Sequence, residues 1–320
     1  MKKTVSCRSL IFLISLMMLF SSAWSQTLIP VKGTGPAIDK ILNVSDFKAI
    51  DVSSGIDVIL VQGSSESLTL TAQENLFEYI TAKVDNGTLK IYTRNNLRST
   101  QPMKARITFK EISNLKVSGG GDAHGETPLN VEALDVSISG GGDFSSVINS
   151  EELKCNVSGG GDAKIEGKIK DYNISVSGGG DLESKVSAGN ISCRIIGGGD
   201  LLLRNEAQAS KAEIEINGGG DMDMKMSADK LICSVSGGGD ALISGQASEF
   251  KIDIDGGGDV DAKNLSTEIT SFNVGGGSDI RVNASKELSG SISGGGDVYY
   301  TGNPSKVSVD ARGGSEIHKE

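Results

Sequence analysis

The sequence predicts an all-β solenoid, a parallel β-helix of about ten rungs, and three observations carry that prediction. Gly-Gly-Gly-Asp stands complete nine times, closing at Asp122, Asp143, Asp162, Asp181, Asp200, Asp221, Asp240, Asp259 and Asp297. The copies are evenly spaced, 19 or 21 residues apart through Asp259. Residue type is also fixed by position around each Asp: five residues before it stand Val117, Ile138, Val157, Val176, Ile195, Ile216, Val235, Ile254 and Ile292, all β-branched. Self-similarity at a short fixed period marks a chain whose units bury their apolar faces only against neighbouring units.

Within one repeat the pattern alternates. Seven residues before the Asp stand Leu115, Val136, Cys155, Ile174, Cys193, Ile214, Cys233 and Ile252, whereas six before stand Lys116, Ser137, Asn156, Ser175, Arg194, Glu215, Ser234 and Asp253. Period-two alternation is that of a strand with one face buried, so a strand runs into each set of glycines. The first and third positions after the Asp are again mostly apolar, as at Leu201 and Leu203 or Met222 and Met224, and predict a second strand leaving the corner. Two short strands and two corners in about twenty residues make one β-helical rung, and about ten rungs make a rod of roughly 45–50 Å. An antiparallel sandwich of the same strands is the competing architecture. It gives no reason for one identical corner in every repeat.

From the start, the chain reads as four segments. Residues 1–25 form a signal peptide: Lys2, Lys3 and Arg8 precede an apolar run from Leu10 to Phe20, and Ala23-Trp24-Ser25 offers a cleavage site before Gln26. The run is short for a bilayer span and no later segment approaches one, so the exported chain should be soluble, with no transmembrane segment. Residues 26–46 read as a leader or linker. Residues 47–110 read as a small N-terminal β cap without Gly-Gly-Gly-Asp copies, including a hairpin from Ile80 to Thr93 turned at Asp85-Asn86-Gly87 and a helical turn near Asn75 to Tyr79. Its expected role is to cover the apolar cross-section and unpaired edges at the end of the solenoid. Residues 111–320 are the β-helix, in which a tenth copy looks stretched, Gly275-Gly276-Gly277-Ser278-Asp279, and an eleventh reduced, Gly313-Gly314-Ser315-Glu316.

Phe47 to Tyr92, with Ser54-Gly55-Ile56-Asp57, Val58-Ile59-Leu60 and Asn86-Gly87-Thr88-Leu89-Lys90-Ile91, resembles the family described as putative auto-transporter adhesin, head GIN domain. The Gly-Gly-Gly-Asp rungs and the closing Tyr300-Thr301-Gly302-Asn303-Pro304 look like that family's body and end, so the resemblance covers almost all of the chain after residue 25. Gly55-Ile56-Asp57 has Asp where the namesake tripeptide has Asn. The resemblance implies an exported bacterial protein with a right-handed β-helix and an adhesin-like role. It brings no catalytic or binding residues.

Two readings of the Asp column stand side by side. In register, Asp122, Asp143, Asp162, Asp181, Asp200, Asp221, Asp240, Asp259 and Asp297 line one corner about 4.8 Å apart, and each carboxylate can accept hydrogen bonds from backbone N–H groups of the corner or the adjoining rung. Alternatively, the column is a weak Ca²⁺ ladder in which cations bridge oxygens of successive corners. Repeated glycines without a following Lys do not suit a nucleotide loop, which occurs once and opens a helix. Cys155, Cys193 and Cys233 fall in the inward column of alternate rungs, roughly 9.6 Å apart and beyond disulfide reach, so they should be free thiols, leaving intermolecular pairing open.

Catalysis finds little support. His124 and His318 sit near opposite ends of the array. Asp221 with Asp223, and Asp259 with Asp261, have the spacing of paired carboxylates on one strand face, which glycoside hydrolysis could use. A lyase would need basic residues among carboxylates, and Arg194, Arg204 and Lys225 form no repeating stripe. Removing residues 1–25 takes away three basic and no acidic residues and moves the formal charge from −10 to −13, which disfavours nucleic acid. The expectation is an exported, non-enzymatic protein of the periplasm, outer-membrane surface or extracellular space, without a cofactor unless Ca²⁺, whose partner is a surface glycan or envelope protein. The alternatives are a polysaccharide-acting lyase or hydrolase and a purely structural envelope component.

Overall fold

The computed structural model describes residues 30–320; the expected signal peptide lies outside the described residues. The chain is an all-β solenoid of about eleven turns in which each rung pairs parallel with the next. Phe144–Gly159, Ala163–Gly178, Leu182–Gly197, Leu201–Gly218, Met222–Gly237, Ala241–Gly256, Val260–Gly276 and Ile280–Gly294 each run from one glycine corner to the next without a break. The sequence led us to expect two short strands per rung. The structure joins them into one bent strand.

The bend has a simple cause. In Leu182–Gly197 the inward residues are Leu182, Ser184, Val186 and Ala188, then Ile191, Cys193 and Ile195, so Gly189 and Asn190 both face outward and the strand turns there. The same two-residue slip separates Ile169 from Tyr172, Ala209 from Ala212, Ala228 from Leu231 and Ala247 from Phe250. A strand that must keep its apolar side inward while passing two outward residues in succession has to bend around the core.

The β-branched column is the spine of the core, and Val157, Val176, Ile195, Ile216, Val235 and Ile254 are all buried. Cys155, Cys193 and Cys233 are free and buried, separated along the axis by Ile174 and Ile214. Burial pushes each thiol up to about 12. So placed, they behave as small apolar side chains and are out of reach of a second molecule while the protein is folded.

The first rungs are out of sequence order. Ala49–Val52 and Asp57–Gln62 pair parallel with Asn114–Gly119 and Ala123–Gly125 on one side. On the other side they pair parallel with Thr88–Thr93 and Lys104–Phe109. The chain therefore lays a rung, passes below it, and returns above it. Three further strands at this end are antiparallel: Ser67–Gln73 on Lys104–Phe109, Ala37–Leu42 on Ser67–Gln73, and Ile80–Asp85 on Thr88–Thr93. Asn86 and Gly87, with φ of 49° and 72°, make the tight turn that the sequence signals. Glu74–Tyr79 is a short 3₁₀ helix, and the stretch read as a leader contributes the strand Ala37–Leu42.

Candidate functional site

The glycine corner stacks in register along the whole rod, and its Asp residues are built into its hydrogen bonding. The N–H of each corner Asp donates to Oδ1 of the Asp one rung earlier, at 2.8–3.0 Å from Asp143 through Asp297. The ladder starts at Asp57, whose Oδ1 accepts from Asp122 at 3.3 Å, and ends with the N–H of Glu316 on Asp297 at 2.8 Å. At this point of the rung the carboxylate stands in for a missing backbone acceptor. The bonds beside it are main-chain: Gly198 N–H to Gly178 C=O at 3.0 Å, and Leu182 N–H to Asp200 C=O at 2.8 Å, repeated rung after rung. Each side chain thereby closes a gap between two backbone ladders.

The three glycines have three different jobs. A Cβ on the first would lie about 2 Å from the carbonyl oxygen below, as at Gly197 over Gly178 (2.1 Å), and φ there is +124°. A Cβ on the third would meet the same obstacle, 1.9 Å for Gly199 over Gly180, while the second, Gly198, has nothing within 4 Å. The copies that looked stretched or reduced follow the same plan. Gly276 pairs with Gly256, so Gly276-Gly277-Ser278-Asp279 is an ordinary four-residue corner with buried Ser278 in the third place and Gly275 in the strand. By the same register, Gly313-Gly314-Ser315-Glu316 is another, with Glu316 in the Asp place.

The remaining candidates for chemistry are held by neighbours. Asp223 accepts from Arg204 at 2.6 Å, Asp261 lies 3.2 Å from Lys263, and Arg194 pairs with Glu215. His124 bonds Ser145 at 3.0 Å. Near the far end, the ring of His318 stacks on Tyr299 at 5.0 Å, and its Nε2 is 3.8 Å from Asp297. Among the described residues, no group of three or more His, Cys, Asp or Glu is arranged to hold a metal ion. A groove of about 1070 Å³, open to solvent, lies along the bent corner of the early rungs. Its floor is Val131 and Ile169 with the Asn130–Asn149 amide pair (2.9 Å), and its sides are the ion pairs Lys48–Glu111 (2.8 Å) and Lys170–Glu151 (3.1 Å). The ammonium of Lys48 holds the Glu111 carboxyl below its ordinary range. The groove opens here because the rung after Asp122 is broken into Ala123–Gly125, Leu129–Asn130 and Ala133–Gly140.

The family model described as putative auto-transporter adhesin, head GIN domain, matches residues 46–206 and again 194–304. The chain belongs to this family. In this head GIN protein the tripeptide Gly55-Ile56-Asp57 is the first corner of the ladder, with Ser54 (φ 78°) and Gly55 (φ 70°) in the first two glycine places and Asp57 in the Asp place. An Asn at the last position would present the same Oδ1 acceptor, which accounts for the exchange of Asp for Asn. Among solved structures, a putative adhesin from Parabacteroides merdae is 20% identical, with a TM-score of 0.38 over 91% of this chain and 98% of that one. A putative adhesin from Bacteroides fragilis is 18% identical, with a TM-score of 0.34 over 91% and 100%. A putative lipid binding protein from Parabacteroides distasonis is 20% identical, with a TM-score of 0.37 over 91% and 100%. No curated protein matches the chain.

Sequence reasoning about the head GIN segment missed that Asp57 joins the Asp column. The signal was present: Val52 stands five residues before Asp57, as a β-branched residue stands before every other corner that closes on Asp. The groove had no such signal, because it arises where the repeat lapses.

Proposed function

We propose that this protein is an exported, non-enzymatic binding protein of the cell envelope or surface. It holds an extended polar partner, a surface glycan or the strand of an envelope protein, along the groove at its bent corner. The groove is the observation that carries this reading. It crosses several rungs, is wide open, and mixes amide, ammonium and carboxylate groups over an apolar floor, a lining that suits an extended ligand held by many weak contacts. The apolar run Leu10 to Phe20 followed by Ala23-Trp24-Ser25 supports export, and no helix among the described residues is long and apolar enough to cross a membrane. The pairing of Asp223 with Arg204 and of Asp261 with Lys263 supports a role without catalysis, since a carboxylate clamped by a cation is poorly placed to move a proton.

The test is retention of purified protein on immobilised envelope polysaccharide and peptidoglycan, with reducing ends assayed in the supernatant. Retention that Asn149→Ala and Lys170→Glu weaken, without release of reducing ends, is expected. Release of reducing ends would overturn the non-enzymatic reading in favour of a hydrolase or lyase. A deletion strain that attaches normally, with no retention in vitro, would leave a purely structural component.

A further inference from the structure

The stretch ahead of the first rung is pinned by side chains although it buries little of its own: of residues 31–36 only Gly33 is buried. Val31–Lys32 pairs parallel with Leu97–Arg98. Asn75 accepts from Thr34 N–H and donates to Lys32 C=O, both at 2.9 Å. The buried Gln73 donates to Gly35 C=O at 2.7 Å and accepts from Thr100 N–H at 3.0 Å, joining this stretch to the loop after Arg98. The result is that Lys32 stands in register with Arg98, two cations side by side on one face about 4.8 Å apart. Neither is ion-paired with a carboxylate of the described residues. Lys211 and Lys230 also meet in register, but there Glu213 and Glu249 each hold one ammonium, at 2.7 Å. Two unpaired like charges repel, so stability does not account for Lys32 beside Arg98.

Both cations border an open hollow of about 910 Å³ at the glycine corner of the first rung, together with Ser54, Gly55, Asp57 and Gln101. Ser54 Oγ accepts from Thr93 N–H at 3.3 Å, which leaves its hydroxyl hydrogen to donate. Oε1 of Gln101 accepts from Ala37 N–H at 2.9 Å, which leaves its amide nitrogen to donate. The one carboxylate in the lining, Asp57, has Oδ1 taken by the Asp122 N–H and Oδ2 left as an acceptor. We propose that this hollow binds an acidic saccharide, with its carboxylate or phosphate between Lys32 and Arg98 and a neighbouring hydroxyl on Asp57. An ammonium beside a guanidinium matches an oxyanion, and the planar fork of Arg takes two of its oxygens at once. Asp57 repels a bare anion and favours a ligand that carries a hydroxyl donor next to its charge. The volume suits a small saccharide rather than a single ion. The hollow lies at the glycine corner, apart from the groove at the bend, and its occupant does not depend on what the groove holds.

The experiment is isothermal titration of the purified protein with glucuronate and with glucose 6-phosphate, set against glucose, acetate and inorganic phosphate. An acid sugar is expected to bind with a Kd of about 1 mM, and the other three at least about tenfold more weakly. Whichever acid sugar binds more tightly identifies the anion. Lys32→Ala and Arg98→Ala should each weaken that binding about tenfold, and Arg98→Lys by less, since it keeps the charge and loses the fork. Lys83→Ala, which removes an exposed cation elsewhere at the head, should change nothing. Circular dichroism should show every variant folded, because the substituted side chains are exposed and losing Lys32 or Arg98 relieves repulsion. No binding of either acid sugar up to about 10 mM, or equal losses for Lys83→Ala and Arg98→Ala, would overturn the proposal. So would glucose, acetate or inorganic phosphate binding as tightly as the acid sugars.

Discussion

Each rung turns twice, and the two corners treat irregularity in opposite ways. The glycine corner holds four residues from Gly119 to Asp297 without insertion or deletion, and its pairing never slips. Most changes in repeat length are taken up at or near the bend; the exception is one extra residue opposite Leu242 to Ser244, in the strand just past the corner, where the corner's own pairing is still kept. Opposite Val186 to Asn190, the next rung carries two extra residues, and the register moves from Val186↔Asn205 to Asn190↔Lys211. Around Ala262 to Ile269 the register slips twice more. The difference follows from what fills each corner. The glycine corner brings backbone onto backbone, with room for no further atom between first and third glycines of successive rungs. At the bend, side chains can mend what the backbone loses: Asn205 accepts from Ala188 N–H at 2.7 Å and donates to Ala188 C=O at 3.1 Å and Ala207 C=O at 3.0 Å. Thr267 similarly bonds Thr270 at 2.6 Å and the carbonyl of Asn283 at 2.7 Å where the second slip occurs.

The largest expected effect comes from filling the glycine corner. Gly199→Ala sets a methyl group 1.9 Å from the Gly180 carbonyl and forces two rungs apart; it should cost about 3 kcal/mol in chemical denaturation. Gly198→Ala, one residue away, meets open space and should be near neutral, within about 0.5 kcal/mol. Equal losses for the two would show that the corner is governed by chain flexibility rather than by close approach. Ser278 shows how the third place can be filled: its hydroxyl bonds Gly256 C=O at 3.2 Å, a compensation that alanine lacks.

Next in size is the mended bend. Asn205→Ala removes one acceptor and two donated bonds at a site only 8% exposed, which should cost about 2 kcal/mol. Asn205→Asp keeps the bond from Ala188 N–H but sets a carboxylate against two carbonyls, and should cost at least as much. A neutral Asn205→Ala would mean that water replaces the amide and that the bend tolerates insertions without help from side chains.

The solenoid was legible because its core repeats by position: the β-branched column before each Asp fixes the strand into the corner. The second corner was expected but not placed, because its mark is a slip of parity, Ile169 to Tyr172 or Ala188 to Ile191, and outward residues there share no residue type. Ser278 and Ser315 were hidden for a related reason. A count of consecutive glycines cannot say which glycine carries which constraint, whereas the pairing Gly256↔Gly276 does. The groove was illegible because it depends on a rung broken between Gly125 and Ala133, where the pattern falls silent.

The smallest effects are expected along the Asp column, and they sharpen the comparison because the column is where the rigid corner uses a side chain at all. Asp181 accepts from Asp200 N–H at 2.9 Å through Oδ1, an atom that asparagine also supplies. Asp181→Ala should therefore cost about 1 kcal/mol, while Asp181→Asn should be neutral or slightly stabilising, since it keeps the acceptor and removes one charge from a row of like charges about 4.8 Å apart. A cation held between successive corners would reverse that order, because it needs the charge. Millimolar Ca²⁺ should then raise the unfolding midpoint over that in EDTA, and Asp181→Asn should abolish part of the rise. With the carboxylates acting as corner braces, the midpoints in Ca²⁺ and EDTA should agree to within about 1 °C in both the parent protein and Asp181→Asn.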